Sequence, residues 1–215
     1  MGFESFMQKP KSYLKTHNVF IGNSYLGGNS VAAGAPAANG AGGNSIRFTL
    51  TGTDITMKDQ QNRSSSNLGM LARSLKIAPN IRRDFIVTNS PNDVGLRFLP
   101  YRDGAVTYMS LDHAARFFIT GPLSGCSIGA GRVNGEIWTF HAYATAGNHG
   151  NAARTQQRDM INNVRMTIGV GAVHICQYQR EYTGQGFVFG LLRNGGIWKF
   201  YAYGSGSGLT KICEI

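Results

Sequence analysis

Cys126 and His141 are the residues whose types and spacing could do chemistry together. They flank Asn134 and Gly135, an Asn-Gly pair between alternating apolar residues, which is the strongest short-range signal for a β-hairpin with a two-residue type I′ turn. That turn makes Ile128 face His141 and makes Cys126 a diagonal neighbour on the same face, with Cβ atoms about 7 Å apart. An imidazole placed there can take the proton of a thiol, whose ordinary pKa of about 8.5 keeps it protonated at neutral pH. The pair therefore predicts a thiol nucleophile with its base.

The hairpin belongs to an internal repeat. Residues 134–143, NGEIWTFHAY, recur sixty positions later as residues 194–203, NGGIWKFYAY, and seven of the ten are identical. Two similar Asn-Gly hairpins predict two sheets, or two halves of a barrel-like sandwich. In the second copy Tyr201 replaces His141 and Gly186 replaces Cys126, so one copy alone carries the thiol and the imidazole.

The elements that must position this pair indicate an α+β fold, a sandwich of two mostly antiparallel or mixed β-sheets with flanking helices and long loops. The spacing of the apolar residues predicts a helix over residues 3–16 interrupted at Pro10, a helix beginning near Asn67 and a helix over residues 152–164. Alternation of apolar residues predicts strands at 46–50, 84–88, 95–99, 106–109 and 117–120. Because no Pro- or Ser-rich linker divides the chain, we expect residues 1–215 to form one domain. The Gly- and Ala-rich stretch 27–45 predicts a mobile loop.

Composition narrows the classes of function. There are 21 basic and 11 acidic residues, a net charge of +10, which favours an acidic partner surface. The cations are scattered without interleaved aromatic residues, so we expect no specific nucleic-acid partner. No apolar run reaches the roughly 18 residues of a membrane span, and no basic start precedes an apolar core, so neither a membrane partner nor a cleaved signal peptide is expected. Three cysteines without paired spacing predict thiols and no metal, and we expect no cofactor.

A longer motif surrounds the candidate nucleophile. The run from Phe117 to Cys126, FFITGPLSGC, resembles the motif of the cytotoxic necrotizing factor and Burkholderia lethal factor toxins, whose Leu-Ser-Gly-Cys carries the catalytic thiol. His141 resembles their downstream histidine. The likeness to the lethal factor extends through residues 99–104, LPYRDG, and loosely into Gly186–Gly208. It covers residues 96–143 best, and little before Leu96 takes part.

The resemblance implies a necrotizing-factor-like fold and deamidation of a glutamine side chain in a host protein. Cys126 would attack the carboxamide carbon, and His141 would protonate the departing ammonia. Thr120 matches the position whose hydroxyl orients the histidine in the lethal factor. In the necrotizing factors a main-chain carbonyl does this, and Thr120 could equally be a β-branched strand residue.

The rest of the motif implies an oxyanion site. Leu123, Ser124 and Gly125 lead into the nucleophile, and a turn containing glycine can aim the N–H groups of Gly125 and Cys126 at a developing negative charge. We also expect the reaction rate to depend on a group that titrates in the histidine range. The interpretation requires the thiol and the imidazole to lie on one face of the ribbon and to open to solvent.

The resemblance also implies a biological setting. We expect a virulence effector, secreted by a bacterium without a cleaved leader, acting as a monomer in the reducing host cytosol on a protein with an acidic docking surface. Its family members act on Rho-type GTPases or on a translation-initiation RNA helicase, and the target stays open between them. Two alternatives stay open as well: a transglutaminase that uses the same thioester, and a non-catalytic basic β-sandwich binding module in which Cys126 is merely packed.

Overall fold

The computed structural model describes residues 3–15, 18–22, 48–56, 81–89, 96–99, 101, 104–113, 115–144 and 150–215. The loop expected at 27–45 and the helix expected from Asn67 lie outside these residues. The described helices are α1 (Phe3–Gln8), α2 (Pro10–Leu14) and α3 (Asn151–Thr167). The described strands are β1 (Asn18–Gly22), β2 (Phe48–Thr56), β3 (Ile81–Asn89), β4 (Leu96–Leu99), β5 (Val106–Leu111), β6 (Phe117–Leu123), β7 (Ser127–Val133), β8 (Glu136–Ala142), β9 (Val173–Gln177), β10 (Gly186–Arg193), β11 (Ile197–Gly204) and β12 (Gly208–Glu214).

Within the described residues the strands form three sheets. The larger two are a five-stranded sheet in the order β12-β11-β10-β6-β4 and a four-stranded sheet in the order β5-β8-β7-β9. All their neighbours are antiparallel except β4 and β6, which are parallel. A further sheet has the order β1-β3-β2. The fold class expected from the sequence, an α+β sandwich of antiparallel and mixed sheets, is therefore confirmed.

Three apolar clusters follow the alternation of the strands. The central cluster lies between the two larger sheets and contains Phe118 of β6, Ile128 of β7 and Phe200 of β11. A second cluster fills the space between α3 and the outer face of the four-stranded sheet. The third packs Phe6 of α1 on Phe117 of β6, at the outer face of the five-stranded sheet. Residues of one strand thus alternate between the central core and an outer, helix-covered layer.

The helices agree with the sequence pattern at their apolar positions. The predicted interruption at Pro10 is confirmed, because Lys9 separates α1 from α2 and Pro10 is the first residue of α2, where a missing N–H costs nothing. The helix expected over 152–164 runs from Asn151 to Thr167. Its buried positions are Ala153, Gln157 and Ile161, spaced four apart, so one face of α3 packs on the sheet and one of its members is polar.

The two repeated hairpins differ in their turns. Asn134 and Gly135 form the predicted two-residue turn, with φ of +49° and +84° and the register that the turn implies. In the second copy Arg193 pairs with Ile197, so three residues form the loop and the predicted two-residue turn is wrong there. The reason is Gly196, which stands where the first copy has Glu136 and adopts a φ of +77° that glutamate resists.

The longer loop reverses the facing of β11 but not that of β10, because Val188 lies in the central cluster just as Ile128 does in the first copy. Trp198 and Phe200 point into the central core, whereas Trp138 packs in the outer layer beneath α3. Tyr201, the sequence counterpart of His141, consequently lies in the outer layer and stacks on Phe189 with ring centroids 5.3 Å apart. The repeat therefore reproduces the hairpin, but its second strand turns the opposite set of side chains toward the core.

Candidate active site

The segment Ser124 to Cys126 connects the two larger sheets. Leu123 ends β6 in the five-stranded sheet and is fully buried, whereas Ser124 is exposed. Gly125 has a φ of +141°, a conformation that residues with a Cβ rarely adopt. Cys126 follows it and immediately precedes β7 of the four-stranded sheet. The Leu-Ser-Gly-Cys motif thus contains the connection between the two sheets. Its glycine is explained by the positive φ that the backbone adopts there.

Cys126 and His141 face the same interior. Ile128 pairs with His141 as expected, and Cys126 lies with Ile128 in the central cluster. The hairpin register continued one step further would pair Cys126 with Tyr143, but the ladder of β7 and β8 ends where Ser127 pairs with Ala142. The N–H of Tyr143 instead donates to the carbonyl of Ala105 at 3.1 Å. The hairpin register therefore brings the thiol and the imidazole to one side of the ribbon, although the strand stops one residue before the cysteine.

Thr120 reaches His141 from the opposite sheet. Its Oγ1 lies 2.6 Å from Nδ1 of His141 and 2.6 Å from the carbonyl oxygen of Leu99, its register partner on β4. The hydroxyl has one proton, and a carbonyl can only accept, so the hydroxyl donates to Leu99. Nδ1 must then be the protonated ring nitrogen that donates to Oγ1. A threonine and a main-chain carbonyl, the two alternatives that the sequence resemblance raised, here form one chain of hydrogen bonds.

This chain leaves a defined nitrogen for proton transfer. With Nδ1 protonated, Nε2 of the neutral ring carries a lone pair, and it has no hydrogen-bond partner among the described residues. An imidazole held in this tautomer can accept a proton from a thiol or from water. His141 thus has the arrangement of a base oriented by a third group.

Burial governs the electrostatics of His141. The ring is inaccessible to solvent, and desolvation lowers its pKa from 6.5 to about 3. The Tyr101 ring lies over it with centroids 5.7 Å apart. In this buried state the imidazole titrates far below the range that the sequence led us to expect.

The candidate residues are closed to solvent in this structure. Cys126 is 2% exposed, and Thr120 and His141 are 0% exposed. Tyr101, half-buried, contacts both His141 and Tyr143, with its centroid 5.9 Å from the latter ring. The condition of a common face is met, whereas the expected opening to solvent is absent around the described residues.

Two residues near the thiol were missed from the sequence. The hydroxyl of Tyr182 donates to the carbonyl of Cys126 at 2.8 Å and accepts the N–H of Gly125 at 3.3 Å. Nε2 of Gln157 on α3 donates to the carbonyl of Gly125 at 2.9 Å. Tyr182 gave no signal, since it lies in an irregular segment between β9 and β10, but Gln157 could have been found as an amide spaced four residues from Ala153 on an apolar face.

The electrostatic setting of Tyr182 keeps it a phenol. Burial raises its pKa well above 10, and the neighbouring Cys126 and Cys176 raise it further. Its proton is therefore available to the Cys126 carbonyl throughout the physiological range. The N–H of Gly125, one of the two expected oxyanion donors, is already engaged by this hydroxyl.

Cys176 and Cys213 differ from the candidate nucleophile in that neither is part of the Leu-Ser-Gly-Cys motif. All three cysteines are buried and none forms a disulfide. Burial raises the pKa of Cys213 to about 12 and that of Cys176 well above 9, so both remain protonated thiols.

The described residues contain no group of three or more His, Cys, Asp or Glu placed to hold a metal ion. In the part of the chain that the structure describes, no helix has the length and apolar character needed to cross a membrane.

Comparisons with known proteins add a distant structural likeness. No protein-family profile matches the sequence, and no curated protein matches it. Among solved structures, the C-terminal domain of CNFy from Yersinia pseudotuberculosis is similar to this chain with 9% identity and a TM-score of 0.33. The alignment covers 65% of this chain and 64% of the other, somewhat less than two thirds of either. At this score the likeness carries no argument about the site.

Proposed function

We propose that this chain is a bacterial toxin that deamidates a glutamine side chain of a host protein. The observation that carries the proposal is the tautomer of His141. Thr120 holds Nδ1 as a donor and leaves Nε2 with a lone pair, and the ring lies on the same face of the hairpin as Ile128 and Cys126. The resemblance of the surrounding motif supports the same chemistry. The fold alone would support many activities, so the proposal depends on these side chains. Since Cys126 and His141 are closed to solvent in this structure, the proposal also requires the site to open before a glutamine reaches the thiol.

The reaction conserves atoms and charge. The proton of the Cys126 thiol moves to Nε2 of His141, and the thiolate attacks the carboxamide carbon of glutamine to form a carbon–sulfur bond. Nε2 returns the proton to the amide nitrogen, the carbon–nitrogen bond breaks, and ammonia departs. The product that stays on Cys126 is a thioester. Water then loses a proton to Nε2 and attacks the thioester carbon, and the sulfur leaves with that proton. Glutamine and water become glutamic acid and ammonia, which at neutral pH are glutamate and ammonium.

A host-cell extract provides the test. Incubation with the protein should release ammonia and raise the mass of target glutamines by about one unit, as read by peptide mass spectrometry. Cys126→Ser and His141→Ala should abolish both, because each removes a group that the reaction needs. Cys176→Ala is the matched control, since it removes a buried thiol from β9. Equal ammonia release by Cys126→Ser would contradict the proposal.

The target and the setting belong to the proposal. A net charge of +10 supports docking on an acidic surface, and the host cytosol would keep the thiol reduced. A Rho-type GTPase and a translation-initiation RNA helicase, each purified and incubated with the protein, are the two targets to compare.

Adding a primary amine distinguishes deamidation from transglutamination. A deamidase leaves glutamate as the product, whereas a transglutaminase incorporates the amine.

One observation favours a second candidate function, a basic binding module without catalysis. Cys126 is 2% exposed and His141 is 0% exposed, as expected of packed core residues. A binding module would bind the host protein equally well after Cys126→Ser and would release no ammonia before or after the substitution. The same extract experiment therefore decides between the two functions.

A further inference from the structure

The backbone around the candidate nucleophile is held from two sides. The Tyr182 hydroxyl bridges the N–H of Gly125 and the carbonyl of Cys126, at 3.3 Å and 2.8 Å. Gln157 holds the group between them, donating from Nε2 to the carbonyl of Gly125 at 2.9 Å. Three of the four backbone polar groups of Gly125 and Cys126 thus have buried side-chain partners from separate parts of the chain.

Gln157 is itself held in place. Its Oε1 accepts the hydroxyl of Ser127 at 2.6 Å, and Nε2 of Gln177 donates to that hydroxyl oxygen at 3.3 Å. Nε2 of Gln177 also donates to the carbonyl of Arg154, one turn before Gln157 on α3, at 2.9 Å. Since a buried amide without partners would cost free energy, this connected network keeps the Gln157 donor aimed at one carbonyl.

The network matters because the segment contains Gly125. A glycine at a φ of +141° has no side chain to restrict it, so the peptide joining it to Cys126 depends on outside contacts for its orientation. That peptide is trans, and in a planar trans peptide the N–H points opposite to the carbonyl. By holding the Gly125 carbonyl toward α3, Gln157 aims the N–H of Cys126 in the opposite direction.

We propose that Tyr182 and Gln157 are positioning residues for the deamidation, which orient the peptide before Cys126 so that its N–H binds the oxyanion. This inference rests on the proposed function. Of the two donors expected from the sequence, the Cys126 N–H is the one assigned to the oxyanion, because Gln157 directs it away from α3, and Tyr182 engages the Gly125 N–H. The hydrogen bond from Gln157 to the same peptide also polarises that N–H.

Tyr182→Phe and Gln157→Leu test the proposal, because each removes the hydrogen bonds while it keeps most of the side-chain volume. Thr139→Val is the matched control, since it removes a buried hydroxyl-to-carbonyl hydrogen bond of 3.3 Å to Met109, away from the Ser124–Cys126 segment. Ammonia release is measured at graded concentrations of host-cell extract. We expect the maximal rate of both test variants to fall about tenfold or more with the half-saturating extract concentration unchanged, because the oxyanion exists only in the transition state. The control should keep its maximal rate.

Alkylation by iodoacetamide supplies a readout that needs no substrate. Trypsin places the three cysteines on separate peptides, residues 117–132, 166–180 and 212–215, so each rate is measured within one sample. Release of the segment should speed alkylation of Cys126 severalfold in the test variants, with Cys176 and Cys213 unchanged. An unchanged Cys126 rate, or an equal rise at all three, would overturn the positioning role. A wild-type chain that releases no ammonia would instead overturn the proposed function, while the alkylation pattern still decides whether Tyr182 and Gln157 hold the segment.

Discussion

At His141, burial and hydrogen bonding together determine the protonation state. Desolvation favours the neutral ring, and the donor–acceptor order from Nδ1 through Thr120 to the Leu99 carbonyl selects its tautomer. Each effect alone would leave the base undefined, because a neutral imidazole can carry its proton on either nitrogen. Desolvation and the order of the hydrogen bonds together make Nε2 the basic atom of His141.

The hydroxyl of Thr120 is expected to be necessary, and its methyl group dispensable. Thr120→Val removes the acceptor of a buried N–H, which should lower the free energy of unfolding by about 1–3 kcal/mol and lower ammonia release by roughly tenfold or more. Thr120→Ser keeps the oxygen and should restore most of the release. Urea unfolding and the ammonia assay measure the two effects, and a valine variant as active as the serine variant would contradict the orienting role.

The depressed pKa of His141 predicts how stability depends on pH. In the unfolded chain the ring protonates near pH 6.5, whereas in the folded chain it stays neutral down to about 3, so the unfolded state binds more protons between these values. The contribution is fully present above pH 6.5 and is lost at roughly 1.4 kcal/mol per pH unit as the pH falls toward 3.

His141→Asn isolates this effect, because its amide can still donate to Thr120 but does not titrate. Denaturant unfolding of both chains from pH 7 to pH 4 should show a steeper loss for the wild type. Parallel curves would mean that the ring is not desolvated in solution.

At the scale of elements, we expect access to the pair to depend on Tyr101, which follows β4. The Tyr101 ring, half-buried and 5.7 Å from the His141 ring, is the described aromatic side chain that lies over the imidazole. Tyr101→Ala should admit water, raise the pKa of His141 from about 3 toward 6.5, and speed iodoacetamide alkylation of Cys126. NMR titration of the imidazole and tryptic mass spectrometry measure these changes. If both stayed at wild-type values, Tyr101 would not be the cover of the site.

The hairpin turn can be tested without disturbing any packing. Gly135 has a φ of +84°, and a Cβ added there would meet no atom within 4 Å, so Gly135→Ala isolates the backbone cost of that conformation. We expect a loss of about 1–2 kcal/mol in the free energy of unfolding. Gly171→Ala, equally open but without a positive φ, is the control and should be neutral within about 0.5 kcal/mol. Equal losses in both variants would show that the turn conformation is not the cause.

At the scale of the whole molecule, charge is expected to act on encounter rather than on chemistry. A net charge of +10 should draw in an acidic target over distances that salt screens. Raising NaCl from about 0.1 M to about 1 M shortens the screening length from about 10 Å to about 3 Å. The rate at low extract concentration should therefore fall about tenfold, with the maximal rate nearly unchanged. A maximal rate that falls in parallel would place the salt effect on the site itself.

The sandwich brings into contact residues that lie far apart along the chain, so their contacts cannot be read from sequence spacing. Thr120 belongs to one sheet and His141 to the other, and Gln157 and Tyr182 come from a helix and from an irregular segment. Sequence resemblance placed Thr120 near the histidine, but the Leu99 carbonyl that orders its proton follows from the parallel pairing of β4 with β6. The repeat likewise predicted two hairpins, but not that one added turn residue reverses the facing of β11.

What the sequence determined by itself was local: an Asn-Gly turn dictates its own register, because two residues with positive φ join strands in one way, and that register places Cys126 and His141 on one face. Burial of the pair, the tautomer of His141 and the contacts of Tyr182 and Gln157 were decided only by the tertiary structure. The physical reason is that these properties depend on which groups from distant strands and helices replace water around a side chain, and no spacing along one strand contains that information.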